Sequence, residues 1–181
     1  HNALAANGTV LYMMNHSLVK LALFLFAGVV YYNTHALDLN DIKGFGRGKP
    51  LLHVLFLCGA CSLAGIPGFL GYLSKTLVHE ALVEYAHMSG ITIITVVEWL
   101  FLFSGGLTAA YLTKIYVAIF WQKGKETGKQ WGKPLSVIAL CLAAVALPVL
   151  GLTPHAIAER ISGATLDFTG GHTFDHAIHY F

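Results

Sequence analysis

Four stretches of the chain are apolar for long enough to cross a bilayer as helices, which takes roughly 20 largely apolar residues. The first runs from Gly8 to Tyr32, GTVLYMMNHSLVKLALFLFAGVVYY. The second extends from Leu51 to His87 and is interrupted by GIPGFLG at residues 65–71. The third, ITIITVVEWLFLFSGGLTAAYLTKIYVAIFW, occupies 91–121, and the fourth, PLSVIALCLAAVALPVLGL, occupies 134–152. Pro67 has no backbone donor, and Gly65, Gly68 and Gly71 are weak helix formers, so the helix of the second region breaks there. The pattern predicts an all-α, polytopic membrane bundle over residues 1–152, with about four spans and one discontinuous helix. Residues 153–181 form a polar tail rich in histidine and glycine.

Loop charge decides how often the second region crosses. Lys43, Arg47 and Lys49 stand in the loop 33–50, and Lys123, Lys125, Lys129 and Lys133 in the loop 122–133. The connection near Met88–Gly90 has no Lys or Arg. Basic loops collect on the cytoplasmic side. One broken span puts both basic loops on that side, whereas two spans would put them on opposite sides. The single broken span is therefore expected, with the tail outside.

Composition narrows the class further. Only 11% of residues are charged and 56% are hydrophobic, against about 25% charged in soluble domains. The net charge of +2 is too small and scattered for a nucleic-acid surface. No basic leader or small-residue cleavage site accompanies the first apolar run, so no signal peptide is expected. Cys58 and Cys61 form a CxxC inside an apolar helix without a second pair, and read as packing residues. GFGRGKP, residues 44–50, ends on Pro50 where a phosphate loop needs Ser or Thr, and follows no strand. It reads as a basic loop. His172, His176 and His179 read as a soluble contact surface rather than a metal site, and no metal is expected.

The chemistry sits in charges buried within apolar segments. A lysine at the bilayer centre costs on the order of 3 kcal/mol, so it usually faces a polar interior or an aqueous path. Lys20 lies 12 residues from either end of the first region, too deep to reach the headgroups easily. His16 and Tyr12 precede it at one-turn intervals and complete a polar column. Lys75 follows the break, with His79 one turn later, at a place where exposed backbone must be covered by protein or line a watery cavity. Lys114 stands seven residues before Trp121, with snorkelling and relay roles equally open, and Glu98 is the sole acid of the third region. A lysine whose proton affinity falls on burial and rises beside a carboxylate can load and release a proton.

NHSLVKLALFLFAG (15–28), DLNDIKGFGR (38–47) and SLAGIPGFLGYLSK (62–75) resemble the antiporter-like membrane subunits of respiratory complex I. That family includes the large membrane subunits of energy-converting hydrogenases, formate hydrogenlyase and multi-subunit sodium/proton antiporters. Its members carry a helix reading approximately H-x-x-x-K-A-L-L-F and a discontinuous helix reading S-L-x-G-x-P-x-x-x-G-F-x-S-K. LTAAYLTKIYVAIF is similar to the family's following helix. The resemblance implies that Lys20 is the central lysine of a half-channel with His16 bridging to it, that Lys75 is the terminal lysine on the discontinuous helix, and that a basic residue is common at Lys114. Leu21 and Thr76 depart from the usual alanine and from the complex I aspartate. Since family members have about fourteen helices, the resemblance also implies a carboxy-terminal portion.

The expected function is proton translocation in a redox-driven respiratory complex of quinone-oxidoreductase or hydrogenase type. The relay would comprise His16, Lys20, Lys75, His79, Glu98 and Lys114. No flavin, haem or iron–sulfur ligands are evident, so no cofactor is expected in this chain. Flavin and iron–sulfur clusters, or a NiFe centre, would belong to partner subunits of a peripheral redox arm reached through other membrane subunits. The alternatives are a multi-subunit sodium/proton antiporter and a structural membrane subunit. A prokaryotic cytoplasmic membrane is the expected location.

Overall fold

The structure, a computed structural model, describes residues 3–124 and 134–153. Among them are five α-helices and no strand: α1 (Ala3–Thr34), α2 (Pro50–Ala64), α3 (Leu70–Ser89), α4 (Thr92–Tyr116) and α5 (Pro134–Leu152). A π-helical turn, Val117–Trp121, continues α4. The expected all-helical membrane bundle is present. Among the described residues three helices are long and apolar enough to cross a membrane, and the shorter apolar α2 belongs to the broken second region. α1 begins five residues before the sequence-based start at Gly8. The tail 153–181 lies outside the described residues beyond Thr153, and so do His172, His176, His179 and the loop lysines 125, 129 and 133.

The second apolar region is two half-helices that run as one rod. α2 stops because Gly65 takes a left-handed conformation (φ +84°), and its N–H closes the helix on the carbonyls of Cys61 and Ser62. That conformation costs a non-glycine residue roughly 1–2 kcal/mol. Pro67 follows where no further helical donor is needed, and the chain re-enters helix after an extended Phe69. The start of α3 then passes alongside the end of α2. A side chain on Gly71 would collide with the Ser62 carbonyl, so the half-helices overlap at backbone contact.

Contacts along α1 fix the direction of that rod. Gly8 lies against Leu77 and Val78, Asn15 against Ser62 and Gly71, and Gly59 against Leu23. Further along, Phe26 meets Phe56 with ring centroids 5.0 Å apart. As α1 descends, its partners pass from α3 back to α2, so the two half-helices make one traverse antiparallel to α1. α5 packs on α1, α2 and α3, burying Leu140, Ala144 and Leu147.

Both described basic segments lie at one end of the bundle. The π turn, closed by Gln122 N–H on the Val117 carbonyl, leaves the Ala118 and Ile119 carbonyls without helical donors. Terminal helix carbonyls need outside partners, and the amides of Gly44 and Gly46 supply them at 2.9 Å each. The loop 33–50 is thereby pinned to the end of α4. The single traverse and the shared basic end agree with the topology expected from loop charge.

α4 stands apart. Leu112 is its only buried residue among those described, while Trp99, Leu100 and Phe103 are each more than half exposed.

Candidate functional site

The helix break creates the site. The last turn of an α-helix leaves carbonyls without intrahelical donors, and in a membrane each costs several kcal/mol if left bare. The side chain of Lys75, one turn into α3, reaches back to those of α2. Its Nζ donates to the carbonyl oxygens of Leu63 at 2.7 Å and Ala64 at 3.2 Å. Two of the three ammonium donors are thus held by the negative end of a helix dipole. Lys75 also faces a cavity of about 400 Å³ whose polar lining comes from Tyr12, Tyr72, Thr76, His79, Ser104 and Thr108. The cavity is wide enough for several waters and has the polar partners that water requires.

His79, on the same face of α3 as Lys75, meets Glu98 across the α3–α4 contact at 3.1 Å. Glu98, expected either to pair with a lysine from another helix or to lie at the outer interface, has a histidine partner instead. The two side chains are 35% and 21% exposed, so the pair contributes little to stability, in keeping with partly solvated ion pairs. We expect a double-mutant cycle of His79→Gln and Glu98→Gln, read by thermal unfolding in detergent, to give a coupling of about 0.5 kcal/mol. A coupling indistinguishable from zero would mean that the two groups are merely neighbours.

The break is also held by a buried polar clasp that sequence reasoning passed over. Ser62 Oγ donates to Asn15 Oδ1 at 2.7 Å and accepts from the Gly71 amide at 3.2 Å, while Ser74 Oγ donates to the Gly71 carbonyl. Asn15, Ser62 and Ser74 are all buried. Three elements (α1, α2 and α3) are therefore joined by polar groups at the point where helical bonding lapses. The available signal was polar residues inside apolar runs, directly before His16 and directly before the break. His53 was missed for the same reason: it stands alone in LLHVLFL, yet hydrogen-bonds the Tyr116 hydroxyl and stacks on Phe120 with centroids 4.5 Å apart.

His16, Lys20 and Lys114 do not line the cavity. Tyr12 and His16 stack at 6.2 Å. Tyr12 enters the cavity lining, whereas His16 Nδ1 is buried with no hydrogen-bond partner among the described residues. Lys20, expected to face a polar interior or an aqueous path, is exposed on α1 beside exposed Leu21 and Phe24 among the described residues. The neighbouring positions Val19 and Ala22 take the buried side. Lys114 is likewise exposed, in the last turn of α4. Gly65, Pro67, Gly68 and Gly71 all lie in or against the break, as expected. Cys58 and Cys61 are free, half-buried thiols on α2.

Comparison with known proteins places this architecture. Residues 1–101 match the family model described as NADH:quinone oxidoreductase/Mrp antiporter, transmembrane region. A sodium/proton antiporter subunit of Alkalihalophilus pseudofirmus is 35% identical over 176 residues, covering 92% of this chain and 34% of that protein. An NAD(P)H-quinone oxidoreductase chain of Synechococcus elongatus is 33% identical over 96 residues, covering 53% of this chain and 18% of its own length. This chain thus spans about a third or less of these relatives. Among solved structures, a protein of the Mrp complex from Dietzia superposes with a TM-score of 0.74 at 21% identity, covering 92% of this chain and 38% of that one. A protein of respiratory complex I from Thermus thermophilus superposes with a TM-score of 0.61 at 24% identity, covering 85% and 34%. With more than half of its length matched by the family model, and with the broken helix and its lysine in place, this chain belongs to the NADH:quinone oxidoreductase/Mrp antiporter membrane family.

Proposed function

We propose that this chain is a proton-conducting part of an antiporter-like subunit, working within a multi-subunit assembly of a bacterial cytoplasmic membrane. The observation that carries the reading is the cavity at the helix break, with Lys75 on its wall and the His79–Glu98 pair beside it. Lys75 has donors enough to hold the Leu63 and Ala64 carbonyls and still present a proton to cavity water. Water would carry that proton between Lys75 and His79, and Glu98 would balance the charge left on the imidazole. The protein's part is to keep these groups in fixed positions around a wet space, so that no step requires a bare charge in hydrocarbon. Lys20 would join such a relay from the exposed face of α1, through groups contributed by the rest of the assembly, with the partly buried His16 one turn away.

Two couplings fit this relay. Sodium/proton exchange is supported by similarity to an antiporter subunit over 92% of the chain. Redox-driven pumping, the coupling favoured by motif resemblance, is supported by the shorter similarity to a quinone oxidoreductase subunit. We favour exchange on the longer match. The test uses proteoliposomes holding the complete assembly with a pH-sensitive dye inside. A sodium jump that moves protons without any electron donor is the expected result. Proton uptake only on addition of a donor and quinone would assign the redox coupling instead, and no proton movement under either condition would leave only a structural subunit.

A further inference from the structure

At the basic end of the bundle, away from the relay, lies a second cavity of about 290 Å³ between the loop 44–50 and the end of α4, lined by Arg47, Lys49, Pro50, His53 and Phe120. Lys49 is unusual there. Its side chain is 5% exposed, and its Nζ is buried without a hydrogen-bond partner among the described residues. The group facing that ammonium is the ring of Phe45, 3.5 Å from Nζ to the centroid. A cation–π contact is worth about 0.5–2 kcal/mol, which leaves most of the cost of burying a charge uncompensated. Burial alone holds the Lys49 pKa below the ordinary lysine range, and no carboxylate among the described residues pairs with it.

Everything else around this cavity favours an anion. Lys49 is also the N-cap of α2, which has no side-chain cap and starts with Pro50. The positive end of a 15-residue helix dipole therefore lies beside the same space, with Pro50 and His53 of the first turn in its lining. Arg47 adds an exposed guanidinium at the rim. Two cations, an uncapped helix start and an imidazole match a phosphate oxyanion in charge and donor count. Position selects the source. Leu51, Val54 and Trp121, next in sequence to the lining, are 43%, 56% and 69% exposed, so apolar surface with an interfacial tryptophan continues outward from the site. A free ion has no use for such a surface, whereas acyl chains do.

We propose that this cavity binds the phosphate of an anionic phospholipid headgroup, with Lys49 as the buried counter-charge and Arg47 closing the rim. Basic pockets between spans at one membrane face are suited to such lipids. The site is independent of the relay and of the coupling ion.

The test takes the complete assembly, delipidated in detergent, and titrates it with phosphatidylglycerol, phosphatidylcholine or inorganic phosphate, reading bound ligand by native mass spectrometry. The expected result is a preference for phosphatidylglycerol that falls about tenfold in the variant carrying both Lys49→Met and Arg47→Gln, with phosphatidylcholine binding unchanged. Lys49→Arg, with Arg47 left in place, should keep the preference. If Lys49→Met fails to assemble, Arg47→Gln alone should weaken phosphatidylglycerol about threefold, since that side chain is exposed and supports no packing. Equal binding of the two lipids, or an unchanged preference in the variants, overturns the proposal. Binding of inorganic phosphate with no preference between lipids overturns the lipid assignment in favour of a free anion.

Discussion

Replacing Lys75 with methionine is expected to reduce proton movement by the assembled complex at least tenfold. The substitution keeps the length and much of the volume of the side chain but removes every donor. Two effects follow, and they must be separated. The carbonyls of Leu63 and Ala64 lose the donors that satisfy them, and each costs about 1–3 kcal/mol if water does not replace the lysine. The cavity also loses a group that can carry a proton. Lys75→Arg distinguishes the two. A guanidinium can still hold the carbonyls, but it stays protonated at any accessible pH. The relay therefore predicts an arginine variant that assembles and melts like the native protein yet moves few protons in proteoliposomes. Native flux in the arginine variant would show that Lys75 is needed only to close the helix end.

Gly71→Ala is expected to destabilise the protein strongly through a single added methyl group. The added carbon would occupy the space of the Ser62 carbonyl and crowd Asn15. Neither can yield freely, because the first is backbone and the second is locked in the buried clasp. The half-helices must separate, and the bond from the Gly71 amide to Ser62 Oγ is lost with them. Overpacking costs about 1–3 kcal/mol and the lost buried bond adds about 1, so a destabilisation of roughly 2–4 kcal/mol is expected. Gly28→Ala is the control, since Gly28 lies on α1 with open space around it; there alanine should be neutral or slightly stabilising. Thermal unfolding of both variants in the same detergent checks the contrast. Equal midpoints would mean that α2 and α3 overlap more loosely than backbone contact requires.

These variants show which features were readable from residues alone. The break was readable because Pro67 and the glycines act through their own backbones. Lys75 and His79 were readable because residues four apart share one face of any helix. Glu98 could be picked out as an intramembrane acid, but its pairing with His79 depends on how α4 is rotated against α3. The Asn15–Ser62 clasp was hidden because its members are 47 residues apart and neither is charged. Lys20 carried the strongest sequence signal as a relay lysine, but its direction depends on the rotation of α1, which leaves it exposed among the described residues and presents Val19 and Ala22 to its neighbours.

Membrane residence, the apolar helical regions, the site of the discontinuity and the shared end of the described basic segments were all determined by the sequence itself. Each depends on local hydropathy, local backbone chemistry or a count of charges. Helix rotation, the overlap of the half-helices, and the meeting of Lys75 with the end of α2 were decided only by the tertiary structure. The reason is physical. In water an apolar stripe marks the face that packs inward, but in a bilayer the lipid-facing and protein-facing sides are both apolar, and close packing sets the rotation. Such packing is a property of surfaces brought together, and no single segment carries it.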